Sequence, residues 1–235
     1  MKIYKITNSL TEKEIQLGII QIKPIMGSEL ASNEYFKYMI EYYRIYYKIL
    51  TPSVVGCALS HCFALNKIIE SKMPGIILED DIDICSDQLI YIKNIIEYRN
   101  LDFIHLGFHP KYIEGKYFYG KKIHKDLFKI NTSIDFDGAF SYYISPKFAK
   151  YILEKQKKIL IEADAWGIFF SGSKFQAYFT PIFFHPFKRG LLQSERVHIP
   201  KRSLSKFLKL KLCILFDLIY NKLISIITGD VQIKP

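Results

Sequence analysis

The sequence predicts an α/β protein built on a mostly parallel β-sheet with helices on both faces. The apolar run 75–78 ends directly at carboxylates, and a continuous run of this kind is typical of a strand buried on both faces. A second run, 101–107, follows an amphipathic helix over 88–98, and two strands joined by a helix form a β-α-β unit. The chain has 235 residues, of which 49% are hydrophobic. We therefore expect one domain at 1–200 and a separate C-terminal segment at 201–235.

The first fifty residues predict two neighbouring strands and an aromatic helix. Strand-like stretches lie at 2–7 and 17–22, before Pro24 and Gly27 break the chain. The segment 28–50 follows, with aromatic residues at a spacing that suits a partly buried helix. We interpret these rings as core packing, and stacking on a ligand is the alternative.

A long buried helix is predicted to begin at Thr51 and Pro52, because threonine is a capping residue and proline favours the first helical position. Apolar side chains cover more than one of its faces. Ser60 and His61 are adjacent, so on a helix their side chains diverge by about 100° and cannot act together as nucleophile and base. We interpret His61 as a buried, hydrogen-bonded histidine, with a ligand contact as the alternative.

The second half of the chain continues to alternate strands and helices. The Gly-, Lys- and Tyr-rich segment 108–135 predicts a hairpin or other excursion over the active face. A strand at 135–144 follows, and Ser145 with the next proline starts another helix. An aromatic helix around Trp166 and a strand over 175–179 complete the pattern.

Positive charge is concentrated towards the C-terminus. The formal net charge is +10, and the segment from Pro186 to Lys211 holds eight basic residues and one acidic residue, a difference of +7. From Lys201 onward apolar residues recur at helical intervals, but no run reaches the roughly 20 residues needed to cross a bilayer. We interpret this tail as a basic amphipathic helix that lies on an anionic membrane, and a helix docked on the domain is the alternative.

The cysteines and the N-terminus predict the cellular compartment. The four cysteines form no C-x-x-C pair, and we find no histidine at a spacing that would make a zinc site. This pattern fits a reducing compartment. The N-terminus enters a strand pattern directly and lacks the continuous apolar segment of a signal peptide, so we expect a cytoplasmic protein.

Four carboxylates cluster directly after the apolar run 75–78, namely Glu79, Asp80, Asp81 and Asp83. Ligands of α/β sheets bind beyond the carboxyl ends of the strands, so these side chains are placed where such a protein does its chemistry. Like charges this close repel one another, and a bound Mg²⁺ or Mn²⁺ ion would hold them together. An acidic loop or the start of a helix is the alternative.

The order and spacing of four sequence blocks resemble glycosyltransferase family 25. This family contains the bacterial lipooligosaccharide glycosyltransferases and also includes collagen galactosyltransferase domains. The blocks are 56–61, 77–81, 102–107 and 138–145, and the resemblance covers roughly residues 51–195. One departure is the block from Gly138, which reads Gly-Ala-Phe-Ser where the family usually has Gly-Thr-His-Gly.

The resemblance implies a GT-A-like, Rossmann-type catalytic domain that binds a nucleotide sugar. It implies a metal-dependent, inverting hexosyltransferase that takes galactose from UDP-galactose. UDP-glucose and a UDP-N-acetylhexosamine are the alternative donors. The implied acceptor is the core of a lipooligosaccharide or lipopolysaccharide, a glycolipid on the inner face of a bacterial inner membrane, which gives the basic tail a purpose. The implied cofactor is Mn²⁺, or Mg²⁺ in its place.

The resemblance and the chemistry of glycosyl transfer together suggest roles for individual residues. A cation neutralises the leaving diphosphate, and a base takes a proton from the acceptor hydroxyl. The expected metal ligands are Asp81, with Asp83 as a second or water-mediated ligand, and His185, for which a structural role is the alternative. The expected contacts to the donor are Glu79, Asp80, Ser60, His61 and Gly138.

Asp164 matches the position where the family places its acidic base. A cap on the helix that carries Trp166 is the alternative for this residue. Asp137 is the second candidate for the base.

Two other functional classes are weaker. A metal-dependent phosphohydrolase needs a nucleophilic aspartate or several histidines in a two-metal site, and the six histidines here are dispersed. A module that binds nucleic acid is not expected, because the charge lies in an amphipathic tail and the aromatic residues are not interleaved with arginine.

Overall fold

A mixed sheet of nine strands runs through the protein, which a computed structural model describes over residues 1–98, 101–108, 118–132, 136, 138–184 and 223–233. The strands are β1 (Lys2–Ile6), β2 (Ile20–Ile22), β3 (Gly75–Glu79), β4 (Phe103–Phe108), β5 (Phe118–His124), β6 (Leu127–Ile130), β7 (Ser141–Ile144), β8 (Ala177–Phe184) and β9 (Val231–Ile233). The helices are α1 (Glu12–Gln16), α2 (Ser32–Tyr46), α3 (Pro52–Ser71), α4 (Ser86–Tyr98), α5 (Pro146–Lys158) and α6 (Trp166–Phe170), with a short 3₁₀ helix at Gly27–Glu29. Residues 223–228 are also helical.

The α/β fold is confirmed, but the expectation of a mostly parallel sheet is wrong. The strand order is β2-β1-β3-β7-β4-β8-β6-β5-β9. Three pairings are parallel, β1 with β2, β1 with β3 and β4 with β8, and the other five are antiparallel. Two antiparallel pairings arise because β7 enters between β3 and β4 in the opposite direction, and the other three involve the hairpin of β5 and β6. Strands buried on both faces have continuous apolar runs whatever the direction of their neighbours, so the sequence did not reveal this insertion.

The central strands bury both faces, each against a different set of helices. Ile77 and Phe103 point to the face covered by residues of α3, α5 and α6. Their chain neighbours Ile76 and Ile104 point to the opposite face, which α4 covers. Since all four side chains are fully buried, this middle part of the sheet holds the ends of its strands in fixed positions.

The predicted helix starts are confirmed in position. Thr51 is the N-cap residue of α3 and Pro52 follows it, although the threonine side chain makes no cap hydrogen bond. Ser145 caps α5, and its Oγ accepts a hydrogen bond from the N–H of Phe148. By length and composition, α3 is the one described helix that could cross a membrane, but half of its apolar window is buried inside the fold. Its apolar character is therefore explained by core packing.

The hairpin predicted within 108–135 is present as β5 and β6, and it widens the sheet through the pairing of β6 with β8. The short strand β9 pairs with β5 at the outer edge of this hairpin. Asn131, which follows β6, donates a 2.7 Å hydrogen bond from Nδ2 to the carboxylate of Asp230 beside β9. The end of the C-terminal segment is thus part of the sheet, which the sequence did not predict. Residues 201–222, with most of the predicted tail, lie outside the described residues.

Candidate active site

The carboxyl end of β3 meets α3 and the amino end of β7 on the face of the sheet that α3 covers. The backbone N–H of Glu79 donates a 2.8 Å hydrogen bond to the carbonyl of Phe140, just before β7 begins. This bond fixes the last residue of β3 beside the 138–140 loop. The acidic stretch therefore begins at the end of a buried strand, as the sequence predicted.

Four side chains form a contiguous group here, which we call the Glu79 cluster: Cys57, His61, Glu79 and Tyr142. His61 Nε2 lies 3.4 Å from Glu79 Oε1, and His61 Nδ1 lies 2.9 Å from the hydroxyl of Tyr142. Cys57 is one helical turn before His61, so both project from the same face of α3. His61 and Tyr142 are buried, whereas the side chain of Glu79 retains 21% exposure. The cluster thus has a buried part, His61 with Tyr142, and a partly exposed part, Cys57 with the carboxylate of Glu79.

Burial keeps the phenol of Tyr142 neutral. Desolvation raises its pKa well above the ordinary value, and the nearby Cys62, Cys57 and Glu79 act in the same direction. Burial also raises the pKa of the Cys62 thiol, to about 12. Tyr142 therefore serves as a neutral hydrogen-bond partner that holds the imidazole ring of His61, rather than as an acid or base near neutral pH.

The acidic stretch continues from Glu79 into a turn at residues 80–81. Both carboxylate oxygens of Asp81 are shielded from solvent, whereas Asp83 is exposed. Among the described residues these aspartates are not part of a group of three metal-binding side chains. Mg²⁺ is commonly held by one or two carboxylates together with the phosphates of a substrate. The oxygen donors of Asp81 and Asp83 fit that mode of binding.

A second group surrounds the loop before β7, and we call it the Gly138 cluster: His105, Gly138, Asp164 and Trp166. The N–H of Gly138 donates to Asp164 Oδ2 at 3.2 Å. The carbonyl of Gly138 accepts from His105 Nε2 at 2.7 Å and from Trp166 Nε1 at 2.9 Å. Gly138 has φ +97°, a conformation that favours glycine. The peptide groups of Gly138 thus tie together β4, α6 and Asp164, which lies two residues before α6.

The protonation state of His105 follows from its two contacts. Its Nδ1 accepts a hydrogen bond from the N–H of Gly107 at 3.3 Å, so the ring proton lies on Nε2, which donates to the carbonyl of Gly138. The side chain is fully buried. His105 is therefore a neutral histidine that fixes the position of the loop.

The structure bears on the two interpretations of Asp164. The cap position of α6 is Ala165, and no side-chain hydrogen bond caps this helix among the described residues. The cap interpretation is therefore wrong, since the carboxylate contacts the N–H of Gly138 instead. Its role as base stays a prediction.

Ser60 and His61 diverge on α3, as predicted. The hydroxyl of Ser60 donates to the carbonyl of Gly56 at 2.7 Å and accepts from the N–H of Ile25 at 2.8 Å. These contacts hold the segment after β2 against α3. A direct contact between Ser60 and a donor stays a prediction, and the same is true of Glu79, Asp80, His61 and Gly138. Asp137 and His185 lie outside the described residues.

Sequence reasoning missed several members of the site. Tyr142, His105 and Trp166 were assigned only to strands and a helix, and their contacts depend on the path of the 138–140 loop. For Cys57, the sequence does contain a signal, namely its spacing from His61. Cysteine and histidine four residues apart on a helix share one face, so the expectation that no cysteine has a histidine at ligand spacing is wrong.

The two clusters touch. The rings of Tyr142 and Trp166 lie 5.1 Å apart between centroids, in an edge-to-face arrangement. The 138–140 loop, which carries Gly138, is also tied to Glu79, because the N–H of Glu79 donates a hydrogen bond to the carbonyl of Phe140. A carboxylate-rich strand end and a positioned aspartate therefore belong to one continuous region of the protein.

Comparison with known proteins identifies the family. No curated protein matches the chain. The model of glycosyltransferase family 25, described as an LPS biosynthesis protein, matches residues 4–166. The match begins earlier and ends earlier than the predicted span of 51–195, so it includes most of β1 and all of β2 and α2, and it reaches the first residue of α6. The chain therefore belongs to glycosyltransferase family 25, a family of glycosyltransferases in lipopolysaccharide biosynthesis.

Proposed function

We propose that the protein is an inverting hexosyltransferase that moves galactose from UDP-galactose onto the core of a lipooligosaccharide or lipopolysaccharide. The observation that carries the proposal is the position of Glu79, Asp80 and Asp81 at the end of β3, in one region with Asp164 and Gly138. Carboxylates at such a strand end suit the binding of a nucleotide and a cation. UDP-glucose and UDP-N-acetylhexosamine remain the alternative donors.

Different residues are assigned to proton transfer and to binding of the donor. Asp164 accepts the proton of the acceptor hydroxyl as that oxygen attacks the anomeric carbon. The hydrogen bond from Gly138 N–H orients the carboxylate. Glu79 and Asp80 bind hydroxyl groups of the donor sugar and the ribose, while His61 orients Glu79.

Asp81 and Asp83 would hold Mn²⁺ or Mg²⁺. When bound, the ion supplies positive charge that offsets the charge of the departing diphosphate. His185 is proposed as a further ligand, and Asp137 as the second candidate for the base.

A panel of nucleotide sugars tests the donor and the ion together. A ligand that binds only the native state raises its stability, so UDP-galactose is expected to raise the melting temperature when Mn²⁺ is present. Turnover of the donor should require an added sugar acceptor. Hydrolysis at the same rate without acceptor would favour a phosphohydrolase, and the absence of protection by every nucleotide sugar would contradict the proposal.

Asp81→Asn tests the cation site directly. We expect loss of Mn²⁺-dependent protection and of transfer, because the variant removes the charge but keeps the shape of a shielded side chain. Asp87→Asn, an exposed carboxylate in the first turn of α4, is the matched control and should change neither. Retained transfer in Asp81→Asn would refute the metal role.

The basic segment is proposed to hold the enzyme on anionic lipid at the cytoplasmic face of the membrane, beside its glycolipid acceptor. Lys206→Gln, Lys209→Gln and Lys211→Gln combined should weaken binding to vesicles with anionic phospholipid, because each lysine near the surface adds about 1 kcal/mol. The matched control replaces three exposed lysines of α5 on the catalytic domain, Lys150, Lys157 and Lys158. Equal vesicle binding by the two triple variants would contradict the assignment.

A further inference from the structure

We propose that Cys57, His61 and Glu79 form a site for a thiophilic divalent ion such as Zn²⁺, separate from the oxygen ligands proposed for Mn²⁺. In the described part of the chain, these three are the group of metal-binding side chains whose donor atoms all lie within 4.8 Å of one another. A thiolate, an imidazole and a carboxylate together are typical ligands of zinc. Three protein ligands leave a fourth position for water or an anion, as in zinc sites that remain open.

The distances are close to those of a bound site. In tetrahedral zinc, a nitrogen and an oxygen ligand at 2.0 to 2.2 Å from the ion are separated by about 3.3 Å. His61 Nε2 and Glu79 Oε1 are 3.4 Å apart. The remaining separations stay within 4.8 Å, so shifts of about 1 Å bring the donor atoms to the separations of a tetrahedral site.

The surroundings favour ligation by Nε2 of His61. Its Nδ1 contacts the hydroxyl of Tyr142 at 2.9 Å. A histidine that ligates a metal usually donates its other ring N–H to a hydrogen-bond acceptor, which fixes the ring and its tautomer. In the metal-bound state the hydroxyl oxygen of the buried Tyr142 accepts this bond, and Nε2 directs its lone pair to the ion that it shares with Glu79.

The choice of ligands predicts selectivity. Thiolate and imidazole favour Zn²⁺ and Co²⁺ over Mn²⁺, which also has the lowest affinity in the divalent series. The aspartates after β3 offer oxygen alone and suit Mn²⁺ or Mg²⁺. If the proposed function is correct, Zn²⁺ at this site inhibits transfer, because it takes Glu79 and His61 away from the donor.

Titration of the metal-free full-length chain with Co²⁺ tests the site without any sugar nucleotide. The expected result is a thiolate-to-cobalt charge-transfer band in the near ultraviolet with visible bands of tetrahedral cobalt. Excess Mn²⁺ should not remove these bands, whereas Zn²⁺ should. Cys57→Ser should abolish the charge-transfer band, and Cys62→Ser, Cys85→Ser and Cys213→Ser should each retain it.

Tyr142→Phe supplies a second measurement that does not remove a ligand. Loss of the hydrogen-bond partner of a ligating histidine typically lowers metal affinity 10- to 100-fold, and we expect a decrease of about that size with the charge-transfer band retained. A band that persists in Cys57→Ser, or no band in the wild-type chain, would overturn the proposal. Either result leaves the proposed transferase activity untouched, since no substrate takes part in this experiment.

Discussion

The Glu79 cluster and the Gly138 cluster lie side by side but use their polar groups differently. In the Glu79 cluster, side chains contact side chains, and a partly exposed carboxylate remains. In the Gly138 cluster, three side chains contact the backbone of one glycine. The first arrangement leaves ligand atoms available to a substrate or ion. The second uses its hydrogen bonds to fix a loop, and it thereby fixes the carboxylate of Asp164.

Among the variants that test this comparison, Asp164→Asn is expected to cause the largest loss of activity. The amide oxygen still accepts from the N–H of Gly138, so the loop is retained while the base is lost. We expect kcat to fall about 10²- to 10⁴-fold, with unchanged affinity for UDP measured by calorimetry. Glu162→Gln, which alters the partner of the Tyr42 hydroxyl 2.6 Å away, is the control carboxylate. A loss of UDP affinity in Asp164→Asn would remove Asp164 from the role of base.

Gly138→Ala tests whether the loop positions the site. A β-carbon there would lie 3.0 Å from the Phe140 ring and 3.4 Å from His105 Nε2, at a φ of +97°. We expect a loss of about 1 to 3 kcal/mol in the free energy of unfolding, measured with urea, and a lower kcat. Gly172→Ala is the matched control, because its φ is +66° and nothing lies within 4 Å of the added carbon. Equal loss of kcat in both variants would show that the loop does not position Asp164.

The shared carbonyl of Gly138 predicts a specific energetic coupling. His105→Leu or Trp166→Phe alone leaves one donor on that carbonyl, and each hydrogen bond contributes about 0.5 to 1.5 kcal/mol beyond any change in packing. The double variant leaves the carbonyl with neither donor. A double-mutant cycle by urea unfolding should therefore show coupling of at least about 0.5 kcal/mol. Additive effects would mean that the two donors act independently.

The last effect is absent at neutral pH and concerns Tyr142. Its pKa is raised in the folded state, so above about pH 10 an unfolded chain loses a phenol proton that the folded chain keeps. Stability therefore falls as pH rises, by up to about 1.4 kcal/mol per pH unit from this group. Tyr142→Phe should reduce that slope in unfolding measured from pH 9 to 11. Tyr143→Phe is the comparison, since burial raises the pKa of Tyr143 to about 12. An unchanged slope in Tyr142→Phe would contradict the assignment.

The position of β3 was predictable, whereas the directions of the strands were not, and the predicted bounds of two other strands were wrong. The strand β7 begins at Ser141 rather than at 135, and β8 ends at Phe184 rather than at 179. The run 75–78 and the carboxylates after it fixed the position of β3, and Thr51 and Ser145 marked the beginnings of α3 and α5. These signals are local in the chain. The antiparallel entry of β7 depends on contacts between distant residues, and a four-residue buried strand carries no local mark of its direction.

Prediction of the site was limited in the same way, because its contacts join residues that are distant in the chain. Asp164 was predicted through the family resemblance, but its contact with Gly138 required the fold. His105 looked like an ordinary strand residue, because the carbonyl that it binds lies 33 residues away in the chain. Cys57 and His61 were the exception, since their four-residue spacing on a helix was visible in the sequence.

The pairing of β9 with β5 changes how the C-terminal region should be manipulated. Truncation at residue 201 would remove β9 together with the lysines and uncover the backbone amides and carbonyls along the rim of β5. An exposed edge strand readily pairs with a strand of another molecule. The truncated protein is therefore prone to self-association whether or not the lysines bind lipid. Charge-neutralising substitutions that leave β9 in place separate the two effects.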